Sequence, residues 1–294
     1  MSERLAILDP GALLPTLQQR LQTWRTSTLR ERLRAGAVEV NGVSVQRADH
    51  PLKPGDKVLI HDAPPPSARG ARSRGPDTRS AAAGIVLLYR DDDLVAIDKP
   101  AGLLAVSTGR ETSDTALARV RALLGPNERL WPVNRLDRET SGVMLFARSH
   151  DQREATQANW HLANKRYYAI VEGQLRAIAP VVDQPLWEDQ GLFVRVGAGK
   201  DARPARTEFA IARTSQRRTL LDVALDSGRK HQIRVHLAWL GHPVVGDARY
   251  GGGGGHGSER LGLHARLLTV RHPRSGAEIT FEAEPPKAFW ALMT

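Results

Sequence analysis

The chain has 294 residues, of which 41% are hydrophobic and 25% charged. That balance fits a soluble globular protein of one large or two ordinary domains. It has no Cys, which excludes disulfides, thiolate nucleophiles and Cys-ligated zinc. No apolar run approaches the roughly 18 residues of a membrane span and no signal-peptide core opens the chain, so the expectation is a cytoplasmic monomer without membrane contact. The formal net charge is +10 and 35 of the 42 basic residues are Arg. The planar guanidinium fork suits phosphate oxygens, so a polyanion, RNA first, is the expected partner.

The first quarter of the chain carries half of the net charge. Within it, "STLRERLRAG" reads as a short basic helix, with Ser27 or Thr28 to cap it and Gly36 to end it. "VEVNGVSV" follows, and its Asn41-Gly42 pair is a type I′ hairpin signal. "LKPGDKVLI" then gives a turn at Pro54-Gly55 and another strand. Composition alone leaves open whether this is an RNA-gripping module or a small domain whose Arg residues only solvate it. The order of "LRERLRAG", "VEVNG" and "LKPGDKV" resembles the S4 RNA-binding domain, chiefly over residues 17–62. The resemblance implies that Arg30, Arg32 and Arg34 face RNA backbone.

Residues 63–83 hold four Pro and four Arg with almost nothing to form a core, and read as a flexible basic linker. From Gly84 the pattern changes. "IVLLY", "LVAIDKP", "VMLFA", "KRYYAIVEG" and "LLDVAL" are short, strand-like and rich in β-branched or aromatic residues. Between them "TALARVRALLG", "QREATQANWHLAN" and "KHQIRVHLAWLG" read as helices. The two kinds do not alternate regularly. The expectation is therefore an α+β domain at 84–294 on a mixed, largely antiparallel sheet, behind a small N-terminal domain at 1–62.

The stretch "NRLDRETSG" at 134–142 combines four charged residues with an apolar run. Asp137 lies between Arg135 and Arg138, and positive neighbours favour its ionised form. A carboxylate that only pins a turn by ion pairing remains open. In extended chain Asp137 and Glu139 would share a face roughly 6 to 7 Å apart, a spacing that also suits an inverting glycoside hydrolase. His231, His236, His242 and Asp247 offer metal-ligand types, but i, i+5 spacing does not converge on one ion as His-x-x-x-His does. No metal is expected, and no serine-hydrolase elbow or dinucleotide fingerprint is present.

"VNRLDRETSGVMLFAR", "KRYYAIVEG" and "GRKHQIRVHLAWLGHPVVGDARYG", in that order, resemble the three motifs of RNA pseudouridine synthases of the RluA type. "LVAIDKPAGL" and "LGLHARLLTVRHP" are similar to the flanking family segments, so the resemblance spans about residues 84–294. It implies isomerisation of uridine to pseudouridine within RNA, with no cofactor. It implies that Asp137 is the catalytic carboxylate and that Arg234 is its ion-pair partner. Tyr167 would stack on the uracil and help remove the C5 proton, while Arg135 would help extrude the nucleotide. Asn134 stands where the family usually has His. Large-subunit ribosomal RNA is the expected substrate. The alternatives are transfer RNA and a non-catalytic role in RNA binding or ribosome assembly.

Overall fold

The computed structural model describes residues 3–6, 10–21, 29, 32–33, 37–45, 47–61, 84–107, 114–125, 127–251 and 260–294. The chain divides into two compact units. One comprises residues 1–70 with 274–279, the other 71–273 with 280–294. Among the described residues, no helix is long and apolar enough to cross a membrane.

The N-terminal unit contains β1 (Glu3–Ala6), β2 (Gly11–Ala12), α1 (Leu13–Arg20), β3 (Val38–Val40), β4 (Val43–Ser44), β5 (Pro51–Leu52) and β6 (Lys57–Ile60). Four strands form an antiparallel sheet in the order β1-β6-β3-β4. Leu13, Leu17, Leu29, Leu33, Val38, Val58 and Ile60 make its core. Asn41 and Gly42 both have positive φ, 53° and 81°, as the type I′ hairpin between β3 and β4 demands. The Asn41 side chain ties that turn to β6, accepting from Lys57 N at 2.9 Å and donating to Asp56 at 2.8 Å. Of the expected basic helix, Leu29, Arg32 and Leu33 are helical, while Arg30 and Arg34 lie outside the described residues. So does the expected linker at 63–83. Arg32 turns its guanidinium to the backbone carbonyl of His61.

The larger unit carries β7 (Val86–Arg90), β8 (Leu94–Lys99), β9 (Trp131–Pro132), β10 (Ser141–Ala147), β11 (Asn164–Glu172), β12 (Val181–Asp183), β13 (Leu186–Glu188), β14 (Val194–Val196), β15 (Arg206–Thr214), β16 (Arg218–Leu225), β17 (Leu263–Arg271) and most of β18 (Glu278–Glu282). Its main helices are α2 (Ala116–Leu124), α3 (His150–Ala158) and α4 (Gln232–Trp239). Ten strands form one sheet whose central path is β12-β15-β16-β11-β17-β10-β8-β7. The sheet is mixed and largely antiparallel, as expected. Its parallel pair is β10 with β17, in the middle.

Every residue of β10 is buried, which is why its sequence reads as one apolar run. Gly142 begins that run because β17 leaves no room for a side chain. A Cβ there would stand 2.2 Å from the Ala265 carbonyl oxygen, and φ is +117°. Ser141 beside it bonds His264 Nδ1 at 2.7 Å and accepts from Arg260 at 2.8 Å. The pair Ser141-Gly142 thus fixes the sheet centre from which the preceding charged turn projects.

Two apolar clusters flank the sheet. Val95, Ile97, Met144 and Phe146 pack with Ala116 and Val120 of α2. Val171, Phe209, Leu221 and Val223 pack with Ile233 and Leu237 of α4. The spacing of Ile233 and Leu237 sets one face of α4 into that core, and Arg234 follows on another.

Candidate active site

Asp137 lies in the loop that leads into β10, four residues before the strand begins. Arg138 and Glu139 form a turn, closed by Thr140 N donating to Asp137 O at 3.2 Å. The chain here is not extended, so the shared face expected for Asp137 and Glu139 does not exist. Glu139 is exposed, while Asp137 is three-quarters buried, its side chain 25% accessible. The two-carboxylate hydrolase spacing is thereby lost.

The turn is held from below by Lys99. Its buried ammonium donates to the carbonyls of Leu103 at 2.7 Å, Pro100 at 2.9 Å and Arg138 at 3.1 Å. Burial lowers the Lys99 pKa to about 8, against the opposing pull of Asp137 and Glu139. Gly102 N also donates to Arg138 O, at 2.8 Å. Asn134 secures the other side of the loop. Its side-chain oxygen accepts from Leu145 N at 2.8 Å, which extends the pairing of β9 with β10 by one side-chain bond.

Arg234 meets Asp137 from α4. Its Nη1 donates to Asp137 Oδ2 at 3.2 Å. The other edge of the guanidinium is gripped by Asp247, through Nε to Oδ2 and Nη2 to Oδ1, both 2.8 Å. Asp247 is fully buried and also accepts from the backbone N–H of Arg249 and Tyr250, each at 3.0 Å. Burial alone would raise the Asp247 pKa; the Arg234 guanidinium and the two amides outweigh it and hold it below the ordinary value. Burial alone would likewise lower Arg234, but Asp247 and then Asp137 hold its pKa above the ordinary value. The fork is thus fixed before it touches Asp137.

His231 caps α4 with a left-handed backbone, φ 55°. It bonds the Tyr250 hydroxyl through Nδ1 at 2.7 Å and places Nε2 3.8 Å from Asp137. Burial lowers its pKa, with Asp137 opposing. His236 instead bonds Thr207 Oγ1 and the Gln184 carbonyl. Among the described residues, the four side chains considered for a metal do not bring their ligand atoms together. Asp91, Asp93 and His272 also cluster, but Asp91 is already bonded to Tyr89, His272 and two backbone amides.

Tyr167 stands on β11 at a bulge. Arg166 pairs with Leu267 and Tyr167 with Ala265, so β17 contributes one extra residue there. Bulges re-aim side chains, and this one lies beside the cleft. Burial and the Asp137 carboxylate push the phenol pKa above its ordinary value. Tyr168 takes the opposite face, against Trp290 and under the Arg266 guanidinium.

Asn134, Asp137, Tyr167 and His231 line one cleft of about 710 Å³. Asp137 is the single carboxylate among its described lining residues, and Arg135, Arg138, Arg153, Lys165, Arg229 and Lys230 are cationic. Arg135 is exposed at the rim. Beneath the cleft an inner pocket of about 80 Å³ is bounded by Asp137, Thr140, Tyr167, Ile233, Arg234 and Leu263, among others. Such a site offers one carboxylate, an aromatic wall and a cationic mouth. The expectations for Asp137, Tyr167, Arg234 and Arg135 all converge here. Sequence reasoning gave Lys99 and Thr140 no place in the site and weighed Asp247 only as a metal-ligand type. Asp247 lies inside a family-like motif, and only its 2.8 Å bonds to Arg234 give it a role.

A family model described as RNA pseudouridylate synthase matches residues 93–239. A Vibrio parahaemolyticus protein named ribosomal large subunit pseudouridine synthase C is 33% identical, covering 87% of this chain and 84% of its own. A Haemophilus ducreyi protein named tRNA pseudouridine synthase C is 35% identical over 67% of this chain and 89% of its own. Among solved structures, human RNA pseudouridylate synthase domain containing 4 superposes with a TM-score of 0.58 at 27% identity. It covers 69% of this chain and 90% of its own. The chain belongs to the RNA pseudouridine synthase family, of the RluA type that its motifs resemble. It is an isomerase that acts on uridine in RNA.

Proposed function

We propose that Asp137 is the catalytic carboxylate and that the substrate is large-subunit ribosomal RNA. The observation that carries the first part is the chain Asp137–Arg234–Asp247. A carboxylate at the base of a cationic cleft is held by a guanidinium that is itself locked from behind. Such an arrangement stabilises the negative charge without allowing it to wander.

Isomerisation breaks the C1′–N1 bond of uridine and joins C5 to C1′; C5 loses a proton and N1 gains one. The atoms balance within the nucleotide, and no redox partner is required. Asp137 acts on the nucleotide, and Arg234 positions it. Tyr167 packs on the uracil ring. With its pKa raised, the phenol stays protonated at neutral pH, so stacking suits it better than accepting the C5 proton. A uridine stacked in RNA must leave the stack to reach this depth, and Arg135 at the rim is placed to fill the gap. The cationic rim takes phosphates.

For the substrate, the relative named for the ribosomal large subunit matches 87% of this chain. That is more than residues 84–294 alone supply, so the match reaches into the N-terminal quarter. The relative named for transfer RNA matches only 67%. The N-terminal unit, read as an S4-like module at 1–62 joined by a basic linker at 63–83, would add affinity for structured RNA. The protein acts as a cytoplasmic monomer on this reading. Pseudouridines mapped in total RNA from cells with and without the protein test it. Loss of a site in large-subunit RNA is expected; loss confined to transfer RNA would overturn the substrate assignment.

A further inference from the structure

Among the described residues that line the inner pocket, Thr140 alone has a buried side-chain polar atom without a hydrogen-bond partner. Its residue is 2% exposed. Buried polar groups are nearly always paired, and an unpaired one costs stability. A Val of the same shape would fill the position without that cost. The hydroxyl therefore calls for a ligand.

Its surroundings narrow what that ligand is. Thr140 closes the same turn as Asp137, through the backbone bond Thr140 N to Asp137 O. Thr140 and Asp137 both line the inner pocket. Two other polar side chains of the pocket wall are engaged. Gln232 donates to Arg206 O and Thr207 Oγ1 and accepts from Ser227 Oγ and Arg229 N. Arg234 is taken by its two aspartates. The space of about 80 Å³ is several times the 10–15 Å³ or so that one water needs. It shares Arg135, Asp137, Tyr167 and His231 with the larger cleft, so a planar ring held in the cleft can reach its wall.

We propose that Thr140 Oγ1 hydrogen-bonds the polar edge of the target uracil and retains the ring in the pocket once its bond to the sugar has broken. This rests on the reading of Asp137 given above. Uracil offers carbonyl oxygens at C2 and C4 and an N–H between them. A hydroxyl both donates and accepts, so it stays bonded as the ring turns from presenting N1 to presenting C5. Thr140 forms no covalent bond and needs no co-reactant.

The test compares Thr140→Val, Thr140→Ser and Asp137→Asn in the full-length protein. The probe is an unmodified large-subunit ribosomal RNA transcript on which the wild type forms pseudouridine. The readouts are the single-turnover rate at saturating protein, RNA affinity and the thermal midpoint. Thr140→Val is expected to melt at or above the wild-type temperature, because it removes an unpaired hydroxyl. It should bind RNA within twofold or so and convert it about tenfold more slowly, the scale of one hydrogen bond. Thr140→Ser should convert at close to the wild-type rate. A wild-type rate for Thr140→Val overturns the proposal, as does equal slowing by Ser and Val. If Asp137→Asn stays active, the reading of the site fails and this proposal with it. An inactive Asp137→Asn beside a fully active Thr140→Val removes only the Thr140 assignment.

Discussion

Arg234 is bound more firmly to Asp247 than to Asp137. Two 2.8 Å bonds join it to the fully buried Asp247, and one 3.2 Å bond joins it to the partly accessible Asp137. The stability of this part of the fold therefore rests on the pair behind the site, and the bond to the proposed catalytic carboxylate is the weaker one.

It follows that Arg234→Met strands Asp247 rather than Asp137. Breaking a buried pair from one side costs about 3 to 5 kcal/mol. Adding Asp247→Asn should recover much of that loss, whereas adding Asp137→Asn should recover little. Thermal unfolding of the two double mutants measures the difference. Equal rescue by both would mean that the two aspartates share the guanidinium evenly.

Asp137→Asn keeps the shape of the side chain and removes its charge. Isomerisation should be abolished, with RNA affinity unchanged to within a few-fold, because the cationic rim that meets phosphate is untouched. Tritium released from RNA labelled at uridine C5 reports the activity. Near-normal turnover by this variant would sink the catalytic assignment.

How far this site can be read from sequence depends on how far apart its parts lie. The buried β8 and β10 stand out as apolar runs, and Asn41-Gly42 announces its hairpin, because both signals are local. Short, partly exposed β12, β13 and β14 give no comparable signal. The Asp137–Arg234 bond spans 97 residues, and family resemblance rather than spacing points to it. The i, i+2 geometry inferred for Asp137 and Glu139 fails because it assumes extended chain, and the bond from Thr140 N bends that segment into a turn. Lys99 reads as an ordinary basic residue until its three carbonyl partners are seen. Thr140 is silent in sequence, since an unpaired hydroxyl is defined only by its surroundings.

His264 sets an acid limit on stability. Burial, with Arg260 adding to it and a bond to Ala283 O opposing, lowers its pKa to about 4 from an ordinary 6.5. Its partners are Ser141 Oγ at 2.7 Å and Ala283 O at 2.9 Å. The unfolded chain binds the proton first as pH falls, so stability is full above about 6.5 and is lost as pH falls towards 4. The loss from this residue is about 3 kcal/mol, as its pKa falls from 6.5 in the unfolded chain to about 4 in the folded one. His236 is shifted in the same direction, so His264→Gln should make the acid limb shallower without flattening it. Denaturant midpoints at pH 7, 6, 5 and 4 give the slope, and an identical slope in the variant refutes the assignment.

Deleting residues 1–62 tests the RNA-gripping role given to the basic N-terminal unit. For each phosphate that the protein ceases to neutralise, the slope of log affinity against log salt falls by about 0.7 to 0.9. The truncated protein should bind ribosomal RNA more weakly and with a flatter salt dependence, while the rate at saturating RNA persists. An unchanged slope, measured by filter binding across a salt series, would show that this unit does not meet the substrate.

The structure gives the Asn134 side chain a definite task. Its oxygen accepts from Leu145 N at 2.8 Å, and three residues on the loop reaches Asp137. Asn134→Ala removes the acceptor and leaves a strand N–H unpaired, a cost of about 1 to 3 kcal/mol if water does not replace it. The loop that aims the carboxylate then loosens. With phosphate binding assigned to the cationic rim by the proposal, the expected effect is on kcat, about tenfold, with KM little changed. Asn134→Asp keeps an acceptor of the same reach and should retain most of the rate. If Ala and Asp lower kcat alike, the bond to Leu145 does not position Asp137, and the amide group must act on the cleft in some other way.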